Sequence, residues 1–281
     1  MEKDGTFDPS FTFAFQPIVD AHAREVFSYE ALIRGRGGES AYRILGQVPT
    51  ERLVEFDQKA RAEAIGLAAR LGIGCRLNLN IMPQGLGSPE SIVSAMAAAT
   101  RAHLPLESLI LEVTESAAID NPGRFAEIAN EHRGLGVRFA IDDFGAGYSG
   151  LNLLADFQPD LIKLDLKLVR GIERLGPRQA IVRAVGHACL DLGIDVIAEG
   201  VETVEEYRWL ANAGIRLFQG FLFARPGFES FPPVYYPEAG SASRARRCRG
   251  DFGRVSAAAI ETDAVAADGP EARPLAVGSP H

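Results

Sequence analysis

The chain has 281 residues, of which 47% are hydrophobic and 23% charged, and its formal net charge is −8. That much apolar material can build one large α/β domain or two smaller ones. The acidic balance argues against a surface made for nucleic acid polymers, although bound cations could reverse the sign locally.

The first two strands are expected at Phe11–Asp20 ("FTFAFQPIVD") and at 25–34 ("EVFSYEALIR"). Only "AHAR" lies between them, so they form an antiparallel hairpin, since a parallel pair needs a longer crossover. From there the pattern alternates. A helix at 52–71 precedes a strand at 75–81. Ser88 and Pro89 read as an N-cap with proline at the first helical position, opening a helix over 90–102. A strand at 108–114 follows. Asn121 and Pro122 repeat the cap signal before a helix at 123–136. Next come a strand at 138–144, a short helix at 150–157 and a strand at 161–166. A helix at 177–193, a strand at 195–200 and a helix at 203–214 continue the series. Thr203 and Glu206 have the spacing of a capping box. A strand at 216–223 closes it.

These eight strands are short and apolar, as in a sheet covered on both faces. Eight strands with outer helices point to a (β/α)8 barrel, irregular because it starts with a hairpin. A doubly wound open sheet is the second expectation. From about Pro233 the chain turns rich in Ala, Gly, Ser and Pro. The expected organisation is an extension at 1–10, a domain at 11–232 and a flexible tail at 233–281. The run "RARRCR" in the tail reads as a solvated basic stretch.

Cys75, Cys189 and Cys248 are far apart and form no CxxC, which suits a reducing cytoplasm. The start "MEKDGTFDPS" lacks the composition of a signal peptide, and no apolar run is long enough to span a membrane. His22, His103, His132, His187 and His281 show no ligand spacing.

Polar residues interrupt the strands near their C-terminal ends: Glu30, Asn80, Glu112 and Glu115, Asp142 and Asp143, Lys163 and Asp165, Glu199 and Glu202, and Gln219. In a parallel barrel these ends share one rim, where barrel active sites lie. The donors are carboxylates and amides, without a His or Cys cluster. Such hard ligands favour Mg2+ or Mn2+. So many carboxylates in one concavity repel one another unless cations neutralise them, and one octahedral ion would not use them all. A site with two ions suits phosphoester hydrolysis. Lys163, the lone cation of the rim, either orients the water and offsets charge or simply pairs with Asp165 or Glu199.

The chain resembles the EAL-domain cyclic di-GMP phosphodiesterases. The motifs are "FQPIVD", "YEALIRG", "LNLNIMP", "LEVTE", "IDDFGAGYSGLNLL", "PDLIKLD", "VIAEGVET" and "FQGFLFARP", in the family's order. The resemblance runs from about Phe11 to Phe228. It implies a modified TIM barrel with an antiparallel first strand, and hydrolysis of cyclic di-GMP to linear pGpG with two Mg2+ or Mn2+ ions. It implies Glu30, Asn80, Glu112 and Asp142 as ligands of one ion, Asp142 as the bridge, and Asp143 and Glu199 as ligands of the other. Lys163 matches the lysine at the nucleophilic water, Glu202 a residue orienting that region, and Gln219 a glutamine near metal-bound water. Gln16, Leu32, Arg34 and Asp165 match substrate-binding positions, and Glu115 the residue that orders the loop after Asp143. Dimerisation through that loop and its neighbouring helix is also implied, with no membrane partner. Asn78 stands where serine is common, Arg216 where some versions carry aspartate, and Gly150 where a second serine is frequent. Members without turnover usually lose the EAL, DDF or lysine positions, which are all present here. A silent cyclic di-GMP receptor and another metal phosphoesterase are the alternatives.

Overall fold

The computed structural model describes residues 9–82, 85, 89–116, 122–147 and 150–237. Strands β1 (Phe11–Asp20) and β2 (Glu25–Gly35) form the hairpin, with Phe11 opposite Gly35 and Asp20 opposite Glu25. Asp20 closes its turn by accepting bonds from the amides of His22 and Ala23, each at 2.9 Å. Parallel pairing then runs through β3 (Arg76–Asn80), β4 (Leu109–Thr114), β5 (Arg138–Phe144), β6 (Leu161–Leu164), β7 (Asp195–Ala198) and β8 (Leu217–Phe218). Strand β8 pairs antiparallel with β1, which closes the barrel. A short β9 (Gly227–Phe228) pairs with the other part of β1. Closure excludes the open doubly wound sheet.

The helices are α1 (Ala41–Leu45), α2 (Leu53–Arg70), α3 (Pro89–Arg101), α4 (Pro122–Arg133), α5 (Gly150–Phe157), α6 (Leu166–Val169), α7 (Gly176–Leu192) and α8 (Val204–Asn212). Helices α3 and α4 begin at their prolines; the proposed caps Ser88 and Asn121 lie outside the described residues, as do Cys248, His281 and the run 244–249. The capping box of α8 forms as expected, with Thr203 Oγ1 accepting from the Glu206 amide at 3.2 Å and Glu206 accepting from the Thr203 amide at 3.1 Å.

Two strands end sooner than their apolar runs. β6 stops at Leu164 because Asp165 caps α6, accepting from the Lys167 amide at 2.7 Å. β8 stops because the chain passes hard against Val201. A Cβ on Gly220 would lie 2.0 Å from the Val201 carbonyl oxygen, so only glycine fits there. "FLF" then turns, with the Phe223 amide donating to the Gly220 carbonyl.

A large apolar core lies between the sheet and the helices, and a smaller one of Ile18, Ile110, Ala140, Leu161, Ile197 and Leu217 fills the barrel interior. Cys75 and Cys189 are free, and burial pushes their thiols up to about 11 and about 12. His132 is buried, its Nδ1 2.7 Å from the Ile128 carbonyl oxygen. Among the described residues no helix is long and apolar enough to cross a membrane.

Candidate active site

The interior apolar residues fix where the polar ones sit. Strand side chains alternate between faces, so a residue two positions from an interior one is interior as well. Two positions toward the mouth from Ile18, Ile110, Ala140, Leu161, Ile197 and Leu217 stand Gln16, Glu112, Asp142, Lys163, Glu199 and Gln219. Strands β2 and β3 add Glu30, Asn78 and Asn80. The strand-end pattern is therefore one polar layer seated on an apolar plug.

Lys163 is the centre of that layer and is 1% exposed. Its Nζ lies 2.7 Å from Glu199 Oε1, 3.0 Å from Glu112 Oε2, 3.3 Å from Asp142 Oδ1 and 3.4 Å from Glu30 Oε2. Burial opposes its charge, yet Asp142, Glu112, Glu199 and Glu30 together hold its pKa well above the ordinary lysine value. Burial pushes Glu112 up to about 8 against the pull of Lys163, with Glu30 and Asp142 adding to the rise. Glu199 is raised for the same first reason, with Asp142 and Glu30 adding.

Amides hold the carboxylates in place. Asn78 Nδ2 donates to Glu112 Oε1 at 2.6 Å, Asn80 Nδ2 to Glu30 Oε1 at 3.1 Å, and Gln219 Nε2 to Glu30 Oε2 at 2.8 Å. Gln219 Nε2 also lies 3.4 Å from Gln16 Oε1, and Gln16 Nε2 donates to the Ala224 carbonyl at 3.2 Å.

Among the described residues two groups of carboxylates are spaced to hold a metal ion, Glu30 with Glu112 and Asp142, and Asp142 with Asp143 and Glu199. The oxygens of each group lie within 4.8 Å of one another, and Asp142 belongs to both. Neighbouring strand residues should face opposite ways, but the β5–β6 register shifts between Ile141 and Phe144, and Asp143 has φ 55°. This bulge turns Asp143 to the same side as Asp142. Burial raises the pKa of Asp143, with Asp142 and Asp165 adding. The donor set is hard oxygen throughout and acidic beyond what Lys163 can neutralise, which fits divalent cations.

Other expected residues sit around this centre. Glu115 is buried, and its Oε2 accepts from the amides of Gly145 at 2.8 Å and Gly147 at 3.3 Å. It thus ties down the turn after Asp143. Leu32 and Arg34 continue β2 beyond Glu30, and Arg34 Nη1 donates to its neighbour's carbonyl, that of Ile33, at 2.7 Å. Asp165 caps α6. Glu202 stays outside the cluster: it is exposed and takes a 2.6 Å bond from Arg170, which lowers its pKa. Arg216 is at the opposite end of the barrel, paired with Asp20 at 2.9 Å. The contact of Asn78 with Glu112 was not among the expected ligations, although its place two residues before Asn80 was a signal for it.

A family model described as "EAL domain" matches residues 8–226. The blue light- and temperature-regulated antirepressor BluF of Escherichia coli is 38% identical over 228 residues, 80% of this chain and 57% of its own length. The cyclic di-GMP phosphodiesterase RocR of Pseudomonas aeruginosa is 37% identical over 56% of this chain and 40% of its own. The chain thus spans roughly half the length of these curated relatives. The cyclic di-GMP-bound form of a standalone versatile EAL protein from Vibrio cholerae superposes with TM-score 0.78 at 43% identity, covering 82% of this chain and 98% of that one. A manganese and cyclic di-GMP complex of BlrP1 from Klebsiella pneumoniae gives 0.76 at 43% identity, over 82% and 59%. From its sequence and its fold alike, the chain belongs to the EAL domain family.

Proposed function

We propose that the chain hydrolyses one phosphodiester of cyclic di-GMP to linear 5′-pGpG, using two divalent cations, Mg2+ or Mn2+. The observation that carries the reading is the charge of the polar layer. Glu30, Glu112, Asp142, Asp143 and Glu199 surround a single ammonium, Lys163. All ionised, they leave four negative charges, which two divalent cations neutralise. The first cation would be held by Glu30, Asn80, Glu112 and Asp142, and the second by Asp142, Asp143 and Glu199. When bound, the cations lower the pKa of a water and offset charge on the phosphate.

The chain's own residues supply the rest. Lys163 Nζ lies within 3.4 Å of four carboxylate oxygens, which in the metal-free chain hold its pKa high. From there its role is to donate a hydrogen bond and offset growing charge. Gln219 carries one amide group across Gln16 and Glu30 and so links phosphate binding to the first cation site. Arg34 suits a phosphate by its planar fork of donors, once released from the Ile33 carbonyl. Leu32 and Asp165 line the substrate's position. Glu202 acts through the loops it joins by way of Arg170.

The relatives named phosphodiesterases and the neighbours solved with cyclic di-GMP support this substrate. The cysteine pattern suits a cytoplasmic enzyme, and we extend the reading to a homodimer. A second reading, regulation without turnover, is favoured by one observation: the relative at 38% identity is named an antirepressor. The experiment that separates the two incubates labelled cyclic di-GMP with the protein and Mg2+ or Mn2+, with cyclic di-AMP alongside and a sizing measurement on the same sample. Linear pGpG is expected. Binding without product under either ion would leave the regulatory reading standing.

A further inference from the structure

A buried ion pair lies outside the barrel, directly behind the first cation site. Asp57 and Arg61, one turn apart on α2, are 5% and 2% exposed. Burying such a pair is costly unless further partners satisfy it. Those partners are the backbone on either side of Ile81, next to Asn80, and the Ser91 carbonyl at the start of α3. Arg61 Nη1 bonds Asp57 and also reaches the Asn80 carbonyl at 3.4 Å, while Nη2 donates to the Ser91 carbonyl at 3.2 Å. Asp57 Oδ1 accepts from the Met82 amide at 3.4 Å. The pair therefore grips the chain on both sides of Ile81. Ile81 itself is fixed from the barrel side, its amide donating to the Glu112 carbonyl at 2.8 Å. Gly85 folds over the pair so closely that a Cβ there would lie 3.1 Å from both Asp57 Oδ2 and Ser91 Oγ.

The two long bonds gain strength because their side-chain partners are charged and water is excluded. Their geometry has a direct effect at the mouth. Asn80 ends β3, and its side chain must hold the Glu30 carboxylate at 3.1 Å while serving the cation. Without the Arg61 contact, only the Ile81 amide's bond to the Glu112 carbonyl holds the peptide after Asn80, so that side chain's aim loses one of its two supports.

We infer that Asp57 and Arg61 are positioning residues for Asn80, and that they set the affinity of the first of the two cation sites. The inference rests on the two-cation reading above. Outer partners of metal ligands typically carry roughly 10–100-fold in metal affinity.

The test is Mn2+ binding to substrate-free protein, followed by calorimetry and by the electron paramagnetic resonance signal of free Mn2+. Wild type, Arg61→Met, Asp57→Asn and Arg61→Lys are compared, with melting temperatures. Arg61→Lys keeps a charge opposite Asp57 but gives up the fork that spans Asn80 and Ser91, so it guards against a variant that fails to fold. The expected result is about 10-fold weaker Mn2+ binding at one site in folded Arg61→Lys, with the other site unchanged. Arg61→Lys should add little in an Asn80→Ala background, because its effect runs through the Asn80 side chain. Unchanged Mn2+ affinity in a folded Arg61→Lys protein, even with a lower melting temperature, would make the pair a helix anchor only and overturn the inference. Wild type that binds no Mn2+ would instead overturn the two-cation reading, and the inference with it.

Discussion

Replacing Lys163 by methionine tests the polar layer most directly. The change keeps an unbranched side chain one atom shorter and removes its charge. In the metal-free protein four carboxylates within 3.4 Å then lose their common cation. Removing one partner of a buried ionic cluster costs about 3–5 kcal/mol. For a domain of this size that lowers the melting temperature by roughly 6–20 °C. The loss should be larger near pH 9 than near pH 6, because Glu112, raised to about 8, is ionised above that value and protonated below it. Adding Mn2+ should recover most of the stability, because cations replace the missing charge. Turnover should not return, and the rate should stay at least about 100-fold below wild type. Scanning calorimetry at both pH values, with and without Mn2+, and the pGpG assay make the comparison. A variant that turns over within threefold of wild type would refute the role given to Lys163. A small melting shift indifferent to pH and to Mn2+ would refute the electrostatic account of the layer.

Three further outcomes are expected. Asp142→Asn, which touches both carboxylate groups, should weaken Mn2+ at both sites, whereas Asp143→Asn should weaken only one; equal effects in a titration would remove the bridging role. Chelated protein should lose stability as pH rises from about 5 to about 8.5. Glu112 is raised from 4.5 to about 8, so the stability from its protonated form is complete below the lower value and lost as pH passes the upper; a melting temperature that climbs over this range in chelator would contradict it. Gly220→Ala should cost at least about 2 kcal/mol in urea unfolding, because the new Cβ meets the Val201 backbone. Gly72→Ala, at φ 75° with nothing within 4 Å, should cost only about 1 kcal/mol; equal costs would count against the close approach.

Much of the architecture was legible because strand periodicity and turn chemistry are local. "AHAR" dictated the hairpin, the proline starts marked two helices, and polar residues near the C-terminal ends of the strands marked the mouth. The closed ring was harder to read, since pairing of β8 with β1 spans nearly the whole domain. Strand ends were misjudged where a non-local contact decides them. Nothing near Phe223 tells that Val201 will crowd Gly220, and "LIKLDL" reads as one strand until Asp165 caps a helix. The bulge that turns Asp143 inward is equally invisible to alternation. Asp57 and Arg61 do leave a trace, an acid and a base four apart on a helix, but that spacing usually means a surface pair. Only burial against the Asn80 peptide shows otherwise. The outward aim of Glu202 depends on Arg170, 32 residues away, so its strand-end position misleads.

The reversed direction of β1 has a practical consequence. In a barrel of eight parallel strands the first strand would start at the floor. Here Phe11 is level with Gly35, beyond Glu30, so the chain enters at the mouth. Tyr236, by contrast, lies at the floor, its ring under the Arg24 guanidinium of the hairpin turn at 5.2 Å. An affinity tag or reporter joined directly at residue 9 would therefore start from the mouth end, the end that carries the carboxylates. One attached after Pro237 would leave from the far end, and that is the end to choose when metal binding is to be measured.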